Sequence, residues 1–571
     1  MKKAVTFAIC GFGSRGCDAY AVYQRRYPED MKLVAVADPR EIQRKIAIDT
    51  YDVPAENCFA TGEELLDQPK MADVMIIATQ DKDHYRYAIP ALEKGYHLLL
   101  EKPISPNLAE CIRIREKAKE CGRIVMVCHV LRYAPFHATI HNLIQQGKIG
   151  RIEHIEASEN IGFEHFCHSF VRGNWRNSEE SSPIVLAKTC HDMDILRWLA
   201  GRPCKRVSSF GSLDWFQAGN APEGSADRCV NCPVGKECPA NAEEMYMRNF
   251  RENGPGWPCN VVTGGIPTEE TLRTALETGP YGRCVFRCDN DVADHQTVHM
   301  EFEGGVTASF YLSAFSNETH RTICVQGTLG EIWGDTEENC VHLRQYGKPE
   351  QTIELTADTG NFSGHGGGDA GMMNQLCRMV AENDMEALTG IEASVESHVM
   401  ALAAEESRIH GGLPIEVLLG VGLDTELGDC PCQIFKKMDN AFATGAQAVS
   451  LYTIAGLNTP ELRAKFKVYA DSLRAVKAAN GGKVPYTKVD DADTDPFKRP
   501  SLMAMVERNM QRVIAGEPIH VKSVNGMVPD DPAKVYPALD LGEYELVQED
   551  ERIKVYKVTD KASGKDLKVV F

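Results

Sequence analysis

Three groups of residues in this chain have types and spacings that could do chemistry. The first is Gly11-Phe12-Gly13-Ser14-Arg15-Gly16, a glycine-rich turn, with Asp38 placed 22 residues after its last glycine. In such a pattern the first glycine makes the turn, the second admits a pyrophosphate to the backbone, and the third lets a helix pack on a strand. The amides at the helix start then face the phosphates. Asp38 would accept hydrogen bonds from ribose hydroxyls and repel a 2′-phosphate, which favours NAD over NADP; Arg40 tempers that preference. The second group is Glu101-Lys102-Pro103. A lysine at the carboxyl end of a parallel strand stands where it can hold a substrate hydroxyl beside a nicotinamide. The third is Cys229-x2-Cys232-x5-Cys238, flanked by prolines and followed by Cys259, Cys284 and Cys288. Cys229, Cys232, Cys238 and Cys288 are the expected ligands of a structural zinc, with Cys284 as the substitute fourth. Free thiols are the plainer alternative. An iron–sulfur cluster is disfavoured because hydride transfer needs no second redox centre.

The glycine turn needs a strand before it and a helix after it, and the sequence supplies both. Residues 4–10 are a short apolar run of buried-strand length, and a helical stretch runs on to about Arg26. Further strand-like runs at 32–38, 74–79 and 97–103 alternate with helical segments at 84–94 and 108–121. Strands alternating with helices dictate a parallel sheet with crossovers. From about residue 150 the texture changes to longer alternating runs at 151–157, 296–302, 305–315 and 321–327, the pattern of an open-faced, mostly antiparallel sheet. The Cys-, Pro- and Gly-rich stretch 221–288 reads as an insertion, and helices follow near 369–381 and 391–409. The expected fold is α/β in three parts. Residues 1–128 form a Rossmann domain with a doubly wound parallel sheet, and residues 129–415 an α/β domain with an open sheet. Residues 416–571 form a small α/β extension. Within that extension 416–479 resemble the last units of a (β/α) barrel, and 544–571 read as a β tail.

The whole-chain numbers limit the partners. At 571 residues, and about 150 per domain, three to four domains are expected. The 62 basic and 81 acidic residues give a net charge of −19, which repels phosphate backbones and anionic lipids. No window is long and apolar enough to span a membrane, and the N-terminus lacks the pattern of a secretion signal. A cytoplasmic protein is therefore expected, with most of its 20 cysteines free and buried.

Taken together, these motifs resemble the Gfo/Idh/MocA oxidoreductase family. The resemblance rests on the stretch Ile9 to Gly16, on Ala37-Asp38, on Ala78-Thr79 with His84, and on Glu101-Lys102-Pro103. Lys188-Thr189-Cys190-His191-Asp192-Met193-Asp194 extends it, and it covers about residues 1–415. It implies NAD-linked chemistry on sugars, cyclitols and related polyols. The glycine loop, Asp38, Arg40, Thr79, His84, Glu101 and Lys102 would hold the cofactor, and Lys102 and His191 would run the proton relay. Many members carry an aspartate four residues before that histidine. Here the position is Ala187, and Lys188 and Asp192 are expected to take over part of its task. The chemistry is coherent, since oxidising an alcohol needs a base for the hydroxyl proton and a cofactor for the hydride. His165, His168, Arg172, Trp175, Asp192, His365 and Asp369 suit a polyol's hydroxyls and apolar ring face. The expected activity is oxidation at a ring carbon of a sugar, glycoside or cyclic polyol, with redox-assisted glycoside cleavage through a keto-sugar as a variant. A non-catalytic NAD- or sugar-responsive binding module, its C-terminal extension docking a partner, is the alternative. A homo-oligomer is expected.

Overall fold

The structure is a computed structural model. It describes residues 4–355 and 364–417, and beyond those only the backbone of four short strands. The chain divides into two compact units, Met1–Leu418 and Leu419–Phe571.

The first unit begins with six strands: β1 (Val5–Cys10), β2 (Met31–Ala37), β3 (Cys58–Phe59), β4 (Val74–Ile77), β5 (His97–Leu100) and β6 (Val125–Val127). All pair in parallel, in the order β3-β2-β1-β4-β5-β6. β4 is buried throughout and β1 nearly so, as expected of strands covered on both faces. The order reverses between β1 and β4, and such a switch point opens a crevice at the strands' carboxyl ends. The glycine turn leaves β1 there, and Ala78-Thr79 leave β4 beside it.

A second, mixed sheet of nine strands follows. Its strands are β7 (Ile152–Asn160), β8 (Cys204–Ser212), β9 (His295–Phe302), β10 (Thr307–Ser313), β11 (His320–Gly327), β12 (Gly330–Asp335), β13 (Cys340–Gln345), β14 (Gln351–Glu354) and β15 (Ile415–Glu416). They run in the order β14-β13-β12-β11-β7-β10-β9-β8-β15, and only the β7–β10 pair is parallel. β9 and β10 alternate buried and exposed residues, so one face packs inward and the other is open. Helices Cys190–Ala200 and Ile391–Ile409 pack together, and the latter covers β8. The long helix also returns to the parallel sheet, where His398 Nε2 accepts the Ile104 N–H at 2.8 Å. The insertion between β8 and β9 carries helices Ala242–Asn253, Cys259–Thr263 and Glu269–Thr278 around a small core of its own.

In the second unit, β16 (Ser523–Val524), β17 (Leu541–Glu549), β18 (Lys554–Asp560) and β19 (Asp566–Val570) form an antiparallel sheet in the order β16-β19-β18-β17. Strand β15 ends at Glu416, and of the barrel-like units expected over 416–479 the part from residue 418 onward lies outside the described residues.

Candidate active site

The crevice at the switch point is shaped by missing side chains. Gly11 sits at φ +89°, and a Cβ there would run into the Ala78 carbonyl. A Cβ on Gly16 would strike the carbonyl of Gly11. A cradle this bare suits a pyrophosphate lying on backbone amides. The Thr79 hydroxyl next to it is buried without a partner, an open hydrogen-bonding group of the kind a bound cofactor satisfies. Asp38 is buried, and Arg40 grips its carboxylate with Nε and Nη2, both at 2.9 Å. The ribose end of the cleft therefore presents an Asp–Arg pair rather than a bare acid. Ser14 starts the widened first turn of the helix, while Phe12 is fully buried and packs edge-to-face on Tyr51. Only the backbone of Phe12 is available to a ligand. The residues present thus fit a dinucleotide.

Arg15 ties this loop to the next layer. Its Nε donates to Glu101 Oε1 at 2.6 Å and its Nη2 to Asp369 Oδ1 at 2.7 Å. Glu101 also accepts from the Tyr20 hydroxyl and from the Lys102 N–H. Burial pushes the Glu101 and Asp369 carboxyls up, but the Arg15 guanidinium outweighs it and holds both below the usual carboxylate range. Lys102 then reaches away from these acids, and its Nζ donates to the Ala187 carbonyl at 2.8 Å. The position lacking the aspartate thus still supplies an acceptor, from its backbone.

His191 lies at the start of helix Cys190–Ala200, 4% exposed, with Nδ1 unpartnered. Burial pushes its imidazole well below the ordinary histidine range, and the positive charge of Lys102 adds to this. The helix N-terminus acts in the same direction. His191 is therefore neutral at pH 7. The ring of His365 is 5.7 Å away and that of His129 is 5.8 Å, with His398 5.6 Å beyond His129. His365 is held at φ +51° in the turn before helix Gly368–Glu382, a conformation costing a non-glycine residue about 1 kcal/mol. Its Nδ1 pairs with Asp369 Oδ2 at 3.0 Å. Below the His191 helix, Arg132 grips Asp194 with two 2.7 Å bonds, both groups buried, and this fixes the helix to the segment after β6.

A second wall, starting at the neighbouring Asp192, is a charge network. Lys188 Nζ stands 3.1 Å from Glu159 Oε1, Arg321 Nη2 stands 2.6 Å from Glu159 Oε2, and Arg321 Nε donates to Asp192 at 2.9 Å. Burial lowers the Lys188 ammonium and pushes the Asp192 carboxyl up to about 6. His165 adjoins this wall, and burial pushes its ring well below the ordinary range, with the Lys188 charge adding.

Several expected site residues have other tasks. His84 lies between two backbone carbonyls, Nδ1 2.8 Å from that of Pro103 and Nε2 3.3 Å from that of Thr79, and its one N–H can donate to either. His168 bonds the Tyr246 hydroxyl at 2.9 Å and stacks on Tyr281 of the insertion. Arg172, 1% exposed, donates to the Ala240 and Arg283 carbonyls, also in the insertion. Trp175 Nε1 donates to Asp81, which Ser181 and Ser182 also hold. Sequence reasoning missed Tyr20, His129, Glu159 and Arg321. Glu159 and Arg321 are register partners on β7 and β11, which no spacing reveals. Among the described residues, one further compact group of candidate metal ligands, Glu338, Cys340 and His342, lies on β13 and the turn before it.

Two family profiles match the chain. One describes an oxidoreductase family's NAD-binding Rossmann fold over residues 5–129, the other its C-terminal alpha/beta domain over residues 141–417. Among curated relatives, the putative oxidoreductase YteT of Bacillus subtilis is 25% identical over 393 residues, covering 64% of this chain and 87% of that protein. The NAD(+)-dependent scyllo-inositol 2-dehydrogenase of Bacillus subtilis is 29% identical over 218 residues, covering 37% of this chain and 59% of that protein. Among solved structures, a levoglucosan dehydrogenase in complex with NADH and levoglucosan matches with TM-score 0.53 at 17% identity, covering 73% of this chain and 100% of that one. An inositol dehydrogenase homolog from Azotobacter vinelandii complexed with NAD+ matches at 0.52 and 17%, covering 72% and 97%. The two profiles between them take in most of the first unit, and the chain belongs to the Gfo/Idh/MocA oxidoreductase family.

Proposed function

We propose that this protein is an NAD-dependent dehydrogenase that removes hydride from a ring carbon of a sugar or cyclic polyol. The observation that carries the reading is His191. It is a buried imidazole, kept neutral and with one nitrogen open, beside the Lys102 charge. A neutral imidazole accepts a hydroxyl proton, and an ammonium next to it donates a hydrogen bond to the oxygen as negative charge develops. When bound, the dinucleotide supplies the hydride acceptor. The chain does the rest: the Ala187 carbonyl aims Lys102, Asp369 orients His365, and the Lys188–Glu159–Arg321–Asp192 wall offers fixed donors and acceptors to further hydroxyls. His165 completes that wall. The curated relative acting on scyllo-inositol and the levoglucosan-bound structure support a cyclic polyol or anhydro-sugar as the substrate class.

Two further points belong to the same reading. The open sheet face suits assembly into a homo-oligomer, and the cysteine-rich insertion carries a structural zinc. No cysteine among the described residues is in a disulfide, which suits a reducing cytoplasm, and no described helix is long and apolar enough to cross a membrane.

The test is NADH formation from NAD+ across a panel of inositols, aldoses and anhydro-sugars. Substrate-dependent NADH from at least one of them, abolished in both His191→Ala and Lys102→Ala, is the expected result. Turnover with no net NADH would redirect the reading to a closed redox cycle that cleaves glycosides. NAD binding without turnover on any of the panel would leave the binding-module alternative.

A further inference from the structure

The insertion folds two separate segments onto each other. Arg228 and Arg283 form an antiparallel bridge, and the Cys284 N–H donates to the Asp227 carbonyl at 2.8 Å. This brings Cys284 to the Cys229–Cys238 segment. Cys229, Cys232, Cys238 and Cys284 together line one cavity of about 10 Å³, otherwise walled mainly by small and apolar residues such as Pro222, Val234, Val285 and Phe286. A space that small holds one water or one ion and is far too small for a multi-iron cluster.

Two further observations point to a charged occupant. One backbone amide is already aimed at a sulfur, the Ala226 N–H donating to Cys232 Sγ at 3.5 Å. Second, the fully buried Arg172 guanidinium sends its hydrogen bonds to two carbonyls and to sulfur, Cys229 Sγ lying 3.5 Å from Nη2, and to no carboxylate. Buried charges are normally paired. Four thiolates around one divalent ion leave a net charge of about −2, and that is a counter-charge for Arg172.

We propose that Cys229, Cys232, Cys238 and Cys284 hold a single zinc ion as a closed tetrathiolate site. Cys288 is left out of the set because it is absent from the cavity wall. The proposal takes Cys284, the substitute fourth ligand expected from spacing, in its place. The sulfurs ring the cavity more loosely than the Glu338–Cys340–His342 group, whose ligand atoms lie within 4.8 Å of one another. Binding draws the four in to Zn–S distances of about 2.3 Å. The site clamps both segments, and through Arg172 it fixes residues 167–172, whose His168 packs on the insertion. The proposal deepens the structural-zinc part of the reading above and is independent of hydride transfer.

The test is elemental analysis of the purified full-length protein, with metal content read independently of turnover. About one equivalent of zinc per chain is expected. It should fall at least about tenfold in Cys232→Ser and in Cys284→Ser, and stay at wild-type level in Cys288→Ser. Protein produced with cobalt should show the thiolate-to-cobalt absorption of a tetrahedral sulfur site, a readout that needs no variant to fold. Less than half an equivalent of zinc, several equivalents of iron, or zinc lost in Cys288→Ser but kept in Cys284→Ser would each overturn the assignment. Zinc at one equivalent in a protein inactive on every polyol would uphold the site while removing the dehydrogenase reading.

Discussion

The two walls of the cleft are built on opposite principles. On one, Lys188, Glu159, Arg321 and Asp192 pair every charge with its neighbour. On the other, His191 and His129 are buried with ring nitrogens unpartnered, and burial pushes His129 down to about 4 and His398 to about 3. A network of paired charges is stiff and already neutralised, so it can position a ligand but has little charge left to exchange. An unsatisfied neutral imidazole is costly to keep, and it is the group with a proton site to offer. The contrast separates holding from reacting, and each wall should fail in its own way.

The largest expected effect is on the reacting wall. His191→Ala should lower kcat/KM by about 10²–10⁴-fold with little change in melting temperature, measured by NADH formation and calorimetry. An equal loss in KM alone would mean that His191 merely binds. On the holding wall, Arg321→Ala leaves Glu159 and Asp192 buried without their cation. It should destabilise the fold by about 3–5 kcal/mol in denaturant titration. If Arg321→Ala instead left stability intact and abolished kcat, the division between the walls would be wrong.

Acid should affect both stability and rate through the histidines. A histidine whose folded-state pKa is lowered binds its proton more readily when unfolded. Its neutral burial therefore costs nothing above the unfolded value of about 6.5, and stability falls as pH drops below that toward the folded value. With His129 at about 4 and His137, His168 and His398 at about 3, melting temperature should be flat above pH 6.5 and decline steadily below it. The acid limb of kcat should lie below pH 6.5 for the same reason. In Lys102→Met the His191 ring should take its proton at higher pH, read by NMR titration rather than by rate, because a positive charge that opposes imidazolium formation is gone. The smallest effect is at Trp175→Phe. This change deletes a single 3.2 Å bond to Asp81 and should cost about 1 kcal/mol of stability while sparing kcat.

Local patterns that repeat along the chain were readable without coordinates. The parallel sheet followed from apolar runs alternating with helices, and the glycine cradle from three glycines at the end of one strand. The mostly antiparallel second sheet followed from alternation. Features made by distant segments meeting were not readable. Arg172 looked like a sugar ligand because it is polar and near His191 in sequence, but packing turns it into the insertion. Spacing favours Cys288 over Cys284 as the fourth sulfur, and only the meeting of the two segments shows Cys284 lining the cavity. Glu159 and Arg321 are 162 residues apart in the chain and meet only through strand register.

The carbonyl of Ala187 has an evolutionary consequence. An aspartate that steadies a catalytic lysine is a single point of failure, because one nucleotide change can remove it. A backbone oxygen has no codon. As long as the chain follows the same path through helix Ile184–Ala187, any small residue at this position leaves the Lys102 partner in place. The instruction that aims the lysine is thus spread over the packing of that helix. Residue-by-residue matching against relatives would score position 187 as a defect although the geometric role it marks is still filled.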